Sequence, residues 1–194
     1  MNWKGPGYLE VITGPMFSGK TTELINKIQK YEAAGKRTSL FKYKKDKRYD
    51  ENKLSTHDQK QVPAYPILLS EELIRGRGQR YDTEVIGIDE AQFLDSKIID
   101  FCEEQVSDGV IVIVTCLNLD YLGQPFKFFD EEKDVGSLIA AADIVTKLSA
   151  ICTYEKCCAE ATRTMRLVKN DSLVLLGGSE SYTARCREHW RLPI

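Results

Sequence analysis

Apolar residues recur along this chain in two rhythms. Runs of strand length occupy residues 8–13, 37–42, 85–88 and 110–115, and the last two are apolar nearly throughout, as expected of strands covered on both faces of a parallel sheet. Between them, residues 22–34 carry Leu24, Ile25, Ile28 and Tyr31 at helical spacing and stop at Gly35-Lys36. Shorter helical patterns cover residues 70–74, with Ser70 as N-cap and Glu71-Glu72 in the first turn, then 96–104 and 136–142. Residues 144–148 return as a strand. This alternation over the first two-thirds predicts an α/β fold, a mostly parallel sheet with helices on both faces. Residues 43–61 are polar and without period, the signature of a functional loop or a disordered insert, and 75–80 read as a turn or loop.

Length and charge narrow the class. The chain has 194 residues, enough for one domain with a small appended module, and a formal charge of -2 with no long basic run. Electrostatics therefore do not favour a nucleic-acid groove. The first residues lack the apolar core of a signal peptide and no stretch has the length of a membrane span. We expect a cytoplasmic protein in a reducing compartment, whose six cysteines serve as metal ligands or core residues rather than disulfides.

Chemistry enters at the first strand-to-helix junction. Gly14-Pro15-Met16-Phe17-Ser18-Gly19-Lys20-Thr21 satisfies every fixed position of the phosphate-loop pattern, in the context that the motif needs. Converging backbone N–H groups and the positive end of the following helix suit phosphates; Lys20 would reach the outer ones and Thr21 would place its hydroxyl on Mg2+. Downstream, the apolar strand 85–88 closes on Asp89-Glu90-Ala91-Gln92-Phe93. Side chains alternate at a strand end, so Asp89 can face Mg2+ while Glu90 faces the phosphoryl acceptor; the bland reading is two acids capping the next helix. After the strand at 110–115, Tyr121 and Phe126 sit in a loop at the carboxyl edge, where open α/β sheets bind ligands, and offer rings either to a base or to the core.

The tail differs in composition. Cys152, Cys157, Cys158, Cys186 and His189 fall in the last quarter of the chain. Cys152-x4-Cys157 and Cys186-x2-His189 supply two ligand pairs, with Cys158 an alternative to Cys157. A hairpin of residues 163–168 and 173–176, turning at Lys169-Asn170-Asp171, would bring the pairs together as a closed tetrahedral Cys3His zinc site. Such a site holds shape and does no chemistry, and it would supply folding energy to a module with little core.

These motifs together resemble the thymidine kinases of the cellular, or type II, family. The likeness runs from Leu9 to about Trp190 and rests on the phosphate loop with its Pro-Met-Phe-Ser interior, Lys45-Asp46-x-Arg48-Tyr49 with Thr56-His57, the acidic motif, and Gly177-Gly178-Ser179-Glu180-Ser181-Tyr182 leading to Cys186-Arg187-x-His189. The family usually has Cys-x2-Cys where this chain has the x4 spacing, and Asn118-Leu119-Asp120-Tyr121 departs from its commoner loop. The resemblance implies a P-loop, RecA-like domain over residues 1–149 and a zinc-binding, lasso-like lid over 150–194. It implies ATP and thymidine as substrates, Mg2+ with ATP, structural Zn2+, a homotetramer, and neither nucleic acid nor membrane as partner.

Carried over residue by residue, the same resemblance makes Glu90 the base for the nucleoside 5'-hydroxyl and Arg48 a stabiliser of the transferring phosphoryl group. Asp89 would hold Mg2+ through water, with Gln92 beside the nucleotide. Met16, Asp46, Phe93, Tyr121, Phe126, Thr164 and Tyr182 would line the nucleoside pocket. Main chain of Leu173, Val174, Leu175, Leu176 and Gly177 would read the base edge. Asp89-Glu90-Ala91-Gln92 also resembles a helicase acidic box, so an ATP-driven nucleic-acid motor is the competing expectation; shortness and the missing basic stripe weigh against it.

Overall fold

The computed structural model describes residues 6–44, 53–55, 61–75, 83–169, 175 and 177–192. Its centre is a six-stranded sheet built from β1 (Tyr8–Gly14), β2 (Thr38–Tyr43), β5 (Tyr65–Ile67), β6 (Val85–Asp89), β7 (Ile111–Leu117) and β8 (Ile144–Lys147), in the order β5-β2-β6-β7-β1-β8. Every neighbouring pair is parallel. Crossovers carry α1 (Lys20–Ala33), α2 (Ser70–Arg75), α3 (Ile98–Ser107) and α4 (Val135–Ala141).

Alternation along the strands sorts the core into two layers. Ile12, Leu40, Val85 and Ile113 point to one face and meet Leu24, Ile25 and Ile28 of α1. Leu9, Val11, Phe41, Ile86, Ile88, Val112 and Val114 point to the other and meet Leu73, Ile98, Phe101, Val135 and Leu138 of the remaining helices. The two-sided burial expected of the apolar runs is therefore what the sheet has.

Beyond the sheet lie three short antiparallel pairs. Within the region expected to be irregular, β3 (Lys53–Ser55) pairs with β4 (Gln61–Pro63). In the tail, β9 (Ala150–Ile151) pairs with β10 (Glu160–Ala161), and β11 (Arg163–Arg166) pairs with β12 (Tyr182–Arg185). β11 falls in the first arm of the expected hairpin of 163–168 with 173–176, and the strand seen to pair with it is β12. Positions 173, 174 and 176 lie outside the described residues, and Leu175 is not in a strand. Tyr182–Arg185 takes the partner role because it alternates, Tyr182 and Ala184 buried and Thr183 and Arg185 half-buried, in step with buried Thr164 and Arg166 opposite.

Candidate functional site

Strand order brings the motifs together. β6, β7 and β1 are neighbours at the middle of the sheet, so the phosphate loop after β1, the acid pair at the end of β6 and the aromatic loop after β7 leave the same edge. The loop is tightly wound: Phe17 and Gly19 have φ of 65° and 82°. A Cβ at Gly14 would lie 2.4 Å from the Leu148 carbonyl, so no larger residue fits there. Ser18 Oγ and Lys20 Nζ both donate to the Pro15 carbonyl at 2.8 Å. Lys20 is buried, its ammonium curled over the loop from the first turn of α1.

Asp89 is the hub of the polar network. Thr21 Oγ1 lies 3.2 Å from both of its carboxylate oxygens, and Thr115 Oγ1 donates to Oδ1 at 2.5 Å. The Thr115 hydroxyl also accepts from the Glu90 N–H at 3.0 Å, so one β7 side chain fixes both acids. Burial, together with the neighbouring Glu90 carboxylate, pushes Asp89 up to about 7 against the pull of Thr115, Lys20 and Thr21. Glu90 holds φ of 56°, a left-handed conformation that is costly for a side chain with a Cβ. Gln92, on a 3-10 turn at Ala91–Phe93, donates to Glu90 Oε2 at 2.5 Å while its own carbonyl accepts from Leu117 N–H. The acid pair is thus held by the loop it precedes and by β7, where capping of α3 falls to other groups: α3 has no side-chain cap, and Asp95 and Asp130 hold the approach to it.

The expected nucleoside residues fall into two connected groups. Phe93 packs on Phe126 edge-to-face at 5.8 Å and on Tyr43 at 5.2 Å, and Met16 joins the same apolar layer. Thr164 reaches across from β11 to accept the Met16 N–H at 3.0 Å. Tyr121 and Tyr182 meet on the guanidinium of Arg166, and the Tyr182 hydroxyl donates to the Leu175 carbonyl at 2.8 Å. Gly177 lies in the turn before β12, where Gly178 N–H is bound by Glu180. Asp46, Arg48, Leu173, Val174 and Leu176 lie outside the described residues.

In the tail, Cys152, Cys157, Cys186 and His189 place one ligand atom each within 4.8 Å of one another. Separations of 3.2 Å (Cys186 Sγ to His189 Nδ1), 3.8 Å (Cys152 Sγ to His189 Nδ1) and 4.0 Å (Cys157 Sγ to Cys186 Sγ) approach the edges, about 3.8 Å, of a tetrahedron with arms of about 2.3 Å. The donor set therefore fits a metal ion. Cys157 is in the cluster, whereas Cys158, the alternative, is exposed and outside it. Burial pushes the Cys152 thiol up, yet hydrogen bonds from the Cys186 and Tyr154 backbone and from the His189 and Cys186 side chains outweigh it and bring it down to about 6.

Four contributors escaped the sequence reading. Thr115 looks like any β-branched strand residue, Tyr43 ends a strand, and Arg166 sits in a polar-looking one. Trp190 donates from its indole N–H to the Thr164 carbonyl and lies against Gly123, where a Cβ would meet its ring at 3.2 Å. None of the four carries a local signal, since each partner lies at least 16 residues away.

A family model described as thymidine kinase matches residues 7–190. The thymidine kinase of Pyrobaculum aerophilum is 41% identical over 194 residues, covering 95% of this chain and 99% of its own. That of Thermococcus kodakarensis is 40% identical over 196 residues, covering 96% and 95%. That of Rhodothermus sp. is 36% identical over 187 residues, covering 96% and 83%. With a phosphate loop, a paired acid and a Cys/His cluster in one α/β frame and likeness along nearly its whole length, the chain belongs to the thymidine kinase family.

Proposed function

We propose that the protein transfers the γ-phosphoryl group of ATP to the 5'-hydroxyl of thymidine. The observation that carries this reading is the joint of Thr21, Asp89, Thr115 and Glu90. There Thr21, on the helix that starts at the phosphate loop, is tied to Asp89, and Thr115, which also donates to Asp89, accepts the main-chain N–H of Glu90. Backbone N–H groups of residues 17–21 receive the phosphates, and Lys20 exchanges the Pro15 carbonyl for phosphate oxygens. Thr21 and Asp89 would hold Mg2+, which would supply charge neutralisation on the phosphates.

An alcohol must lose its proton as the phosphorus–oxygen bond forms. Glu90 accepts it, its carboxylate fixed by the Gln92 amide so that little reorganisation remains. The family resemblance adds roles for two residues between β2 and β3, Arg48 as stabiliser of the transferring group and Asp46 as a nucleoside-binding residue. Phe93, Phe126 and Met16 form the apolar wall, while Tyr121, Thr164, Tyr182 and main chain at 173–177 complete a pocket that a base with the wrong donor pattern leaves unsatisfied.

Residues 150–194 form the lid on this pocket. Zn2+ at Cys152, Cys157, Cys186 and His189 would staple it, with every position filled by protein. The family further suggests a homotetramer, which exposed Ile144 and Val145 on the β8 edge support.

The deciding experiment follows ATP consumption with thymidine or with single-stranded DNA as stimulant. Stimulation by thymidine with stoichiometric thymidine monophosphate is expected; stimulation by DNA alone sinks the reading. Glu90→Gln should bind ATP normally and lose about 10²–10⁴-fold in kcat.

A further inference from the structure

One buried cation takes no part in the chemistry above. Arg166 stands two positions after Thr164 on β11, so strand alternation sends both side chains inward, and Arg166 is only 3% exposed. Its guanidinium carbon lies 3.6 Å from the centre of the Tyr121 ring and 5.4 Å from that of Tyr182. Its Nη2 donates to the Tyr182 hydroxyl at 2.9 Å, and that hydroxyl donates onward to the Leu175 carbonyl at 2.8 Å. Parts of the chain far apart in sequence converge here on β11: Tyr121 from the loop after β7, and β12 with Leu175 shortly before it.

We propose that Arg166 is a positioning residue of the nucleoside site. Stacking holds the Tyr121 ring, an in-plane N–H holds the Tyr182 hydroxyl, and through that hydroxyl the Leu175 carbonyl is set. This rests on the thymidine-kinase reading, which puts those three residues around the base. The geometry suits a guanidinium and no other side chain. A planar, delocalised cation presents a face to one ring and an edge donor to another group at once, whereas an ammonium is a point charge that satisfies one of the two. Desolvation sharpens the effect at the Tyr182 hydroxyl, where both partners are buried.

The neighbouring contact explains why binding rather than chemistry should respond. Thr164, on the same face of β11, ties the strand to the Met16 N–H of the phosphate loop, and Trp190 ties it to the aromatic loop. Those ties survive when Arg166 changes. The phosphate cradle and acid pair should therefore keep their shape while the two tyrosines lose their common anchor.

The test is steady-state kinetics of Arg166→Lys beside the wild type, with equilibrium thymidine binding, metal content and thermal unfolding on the same samples. Arg166→Lys keeps the charge and loses the fork, so thymidine KM and Kd should rise roughly tenfold, with ATP KM and kcat within about threefold. A merely structural role would lower the active fraction, and hence kcat, with both KM values unchanged. Tyr182→Phe removes only the linking hydroxyl and should raise thymidine KM about threefold, which keeps the question open to test should Arg166→Lys misfold. Thymidine KM within twofold of wild type in the folded variants, or a parallel rise in ATP KM, overturns the proposal. A wild-type protein that leaves thymidine unphosphorylated would show instead that the underlying reading is wrong, and that control is read before any variant.

Discussion

Thr115 does work that its place in an apolar strand conceals. It holds Asp89 and Glu90 together, and Asp89 is meanwhile buried to 3% exposure beside a like charge. Asp89 is raised from 3.8 to about 7 in the fold, so the stability tied to its protonated form is complete below about pH 4 and is lost as pH rises through about 7. Ionising it then costs the ligand-free fold up to roughly 4 kcal/mol, an upper bound that a divalent cation reverses. Asp89→Asn, assayed without nucleotide or divalent cation, should therefore gain stability relative to wild type between pH 5 and pH 8; urea unfolding at the two values measures it. A difference that stays flat with pH would contradict this account. In the opposite sense, Thr115→Val keeps the shape but strips a buried carboxylate of its best donor. Its expected cost is about 1–3 kcal/mol at pH 8, by the same measurement.

Single elements show what the sequence makes legible. α1, β1, β6 and β7 were readable because hydrophobic packing alone dictates them, and their period is written in residues such as Leu24, Ile28, Ile86 and Val112. The phosphate loop and the acid pair were readable as local motifs. β12 was not: Tyr182–Arg185 is four residues long and half polar, and it is a strand because β11 and the Cys/His cluster hold it, a constraint that no window of sequence contains. The Thr164–Met16 contact, spanning 148 positions, is invisible for the same reason. The Cys/His cluster thus stands where core would in this element, and thiol chemistry can report whether it holds a metal. Cys158 is exposed, Cys102 and Cys116 are buried with burial pushing both thiols up, Cys116 to about 11, and three cysteines lie in the cluster. Alkylation of metal-loaded protein at pH 8 should modify Cys158 alone. Chelation should add Cys152, Cys157 and Cys186, while Cys102 and Cys116 should wait for denaturant. Mass spectrometry reads each stage, and early modification of Cys157 in loaded protein would remove it from the ligand set.

For the whole molecule, the sheet has unequal ends. At one, β5 is three residues long and Tyr65 packs on Phe41. At the other, β8 pairs with β1 on one side, and among the described residues no strand pairs with its far side. Its first two side chains, one on each face, are apolar and exposed, Ile144 at 45% and Val145 at 46%, ahead of Thr146 and an exposed Lys147, and Ile151 nearby is 56% exposed. Natural edge strands of this kind are usually charged, bulged or covered, because a bare one recruits another chain. Coverage by a second copy would remove the apolar surface and satisfy the free backbone groups together, the economical outcome for a chain expected to form a tetramer. A lysine on the strand tests this without touching the phosphate loop or the acid pair. Val145→Lys places a charge in the would-be contact, where it repels its own image across a two-fold axis and must be desolvated to be covered. Wild-type protein should sediment as the larger assembly, and Val145→Lys should fall to a smaller one with its thermal unfolding still cooperative. Because ordering by a neighbour stabilises by mass action, wild-type stability should also climb with protein concentration, and the variant's should climb less. Equal sedimentation of the two would place the contact surface elsewhere on the molecule.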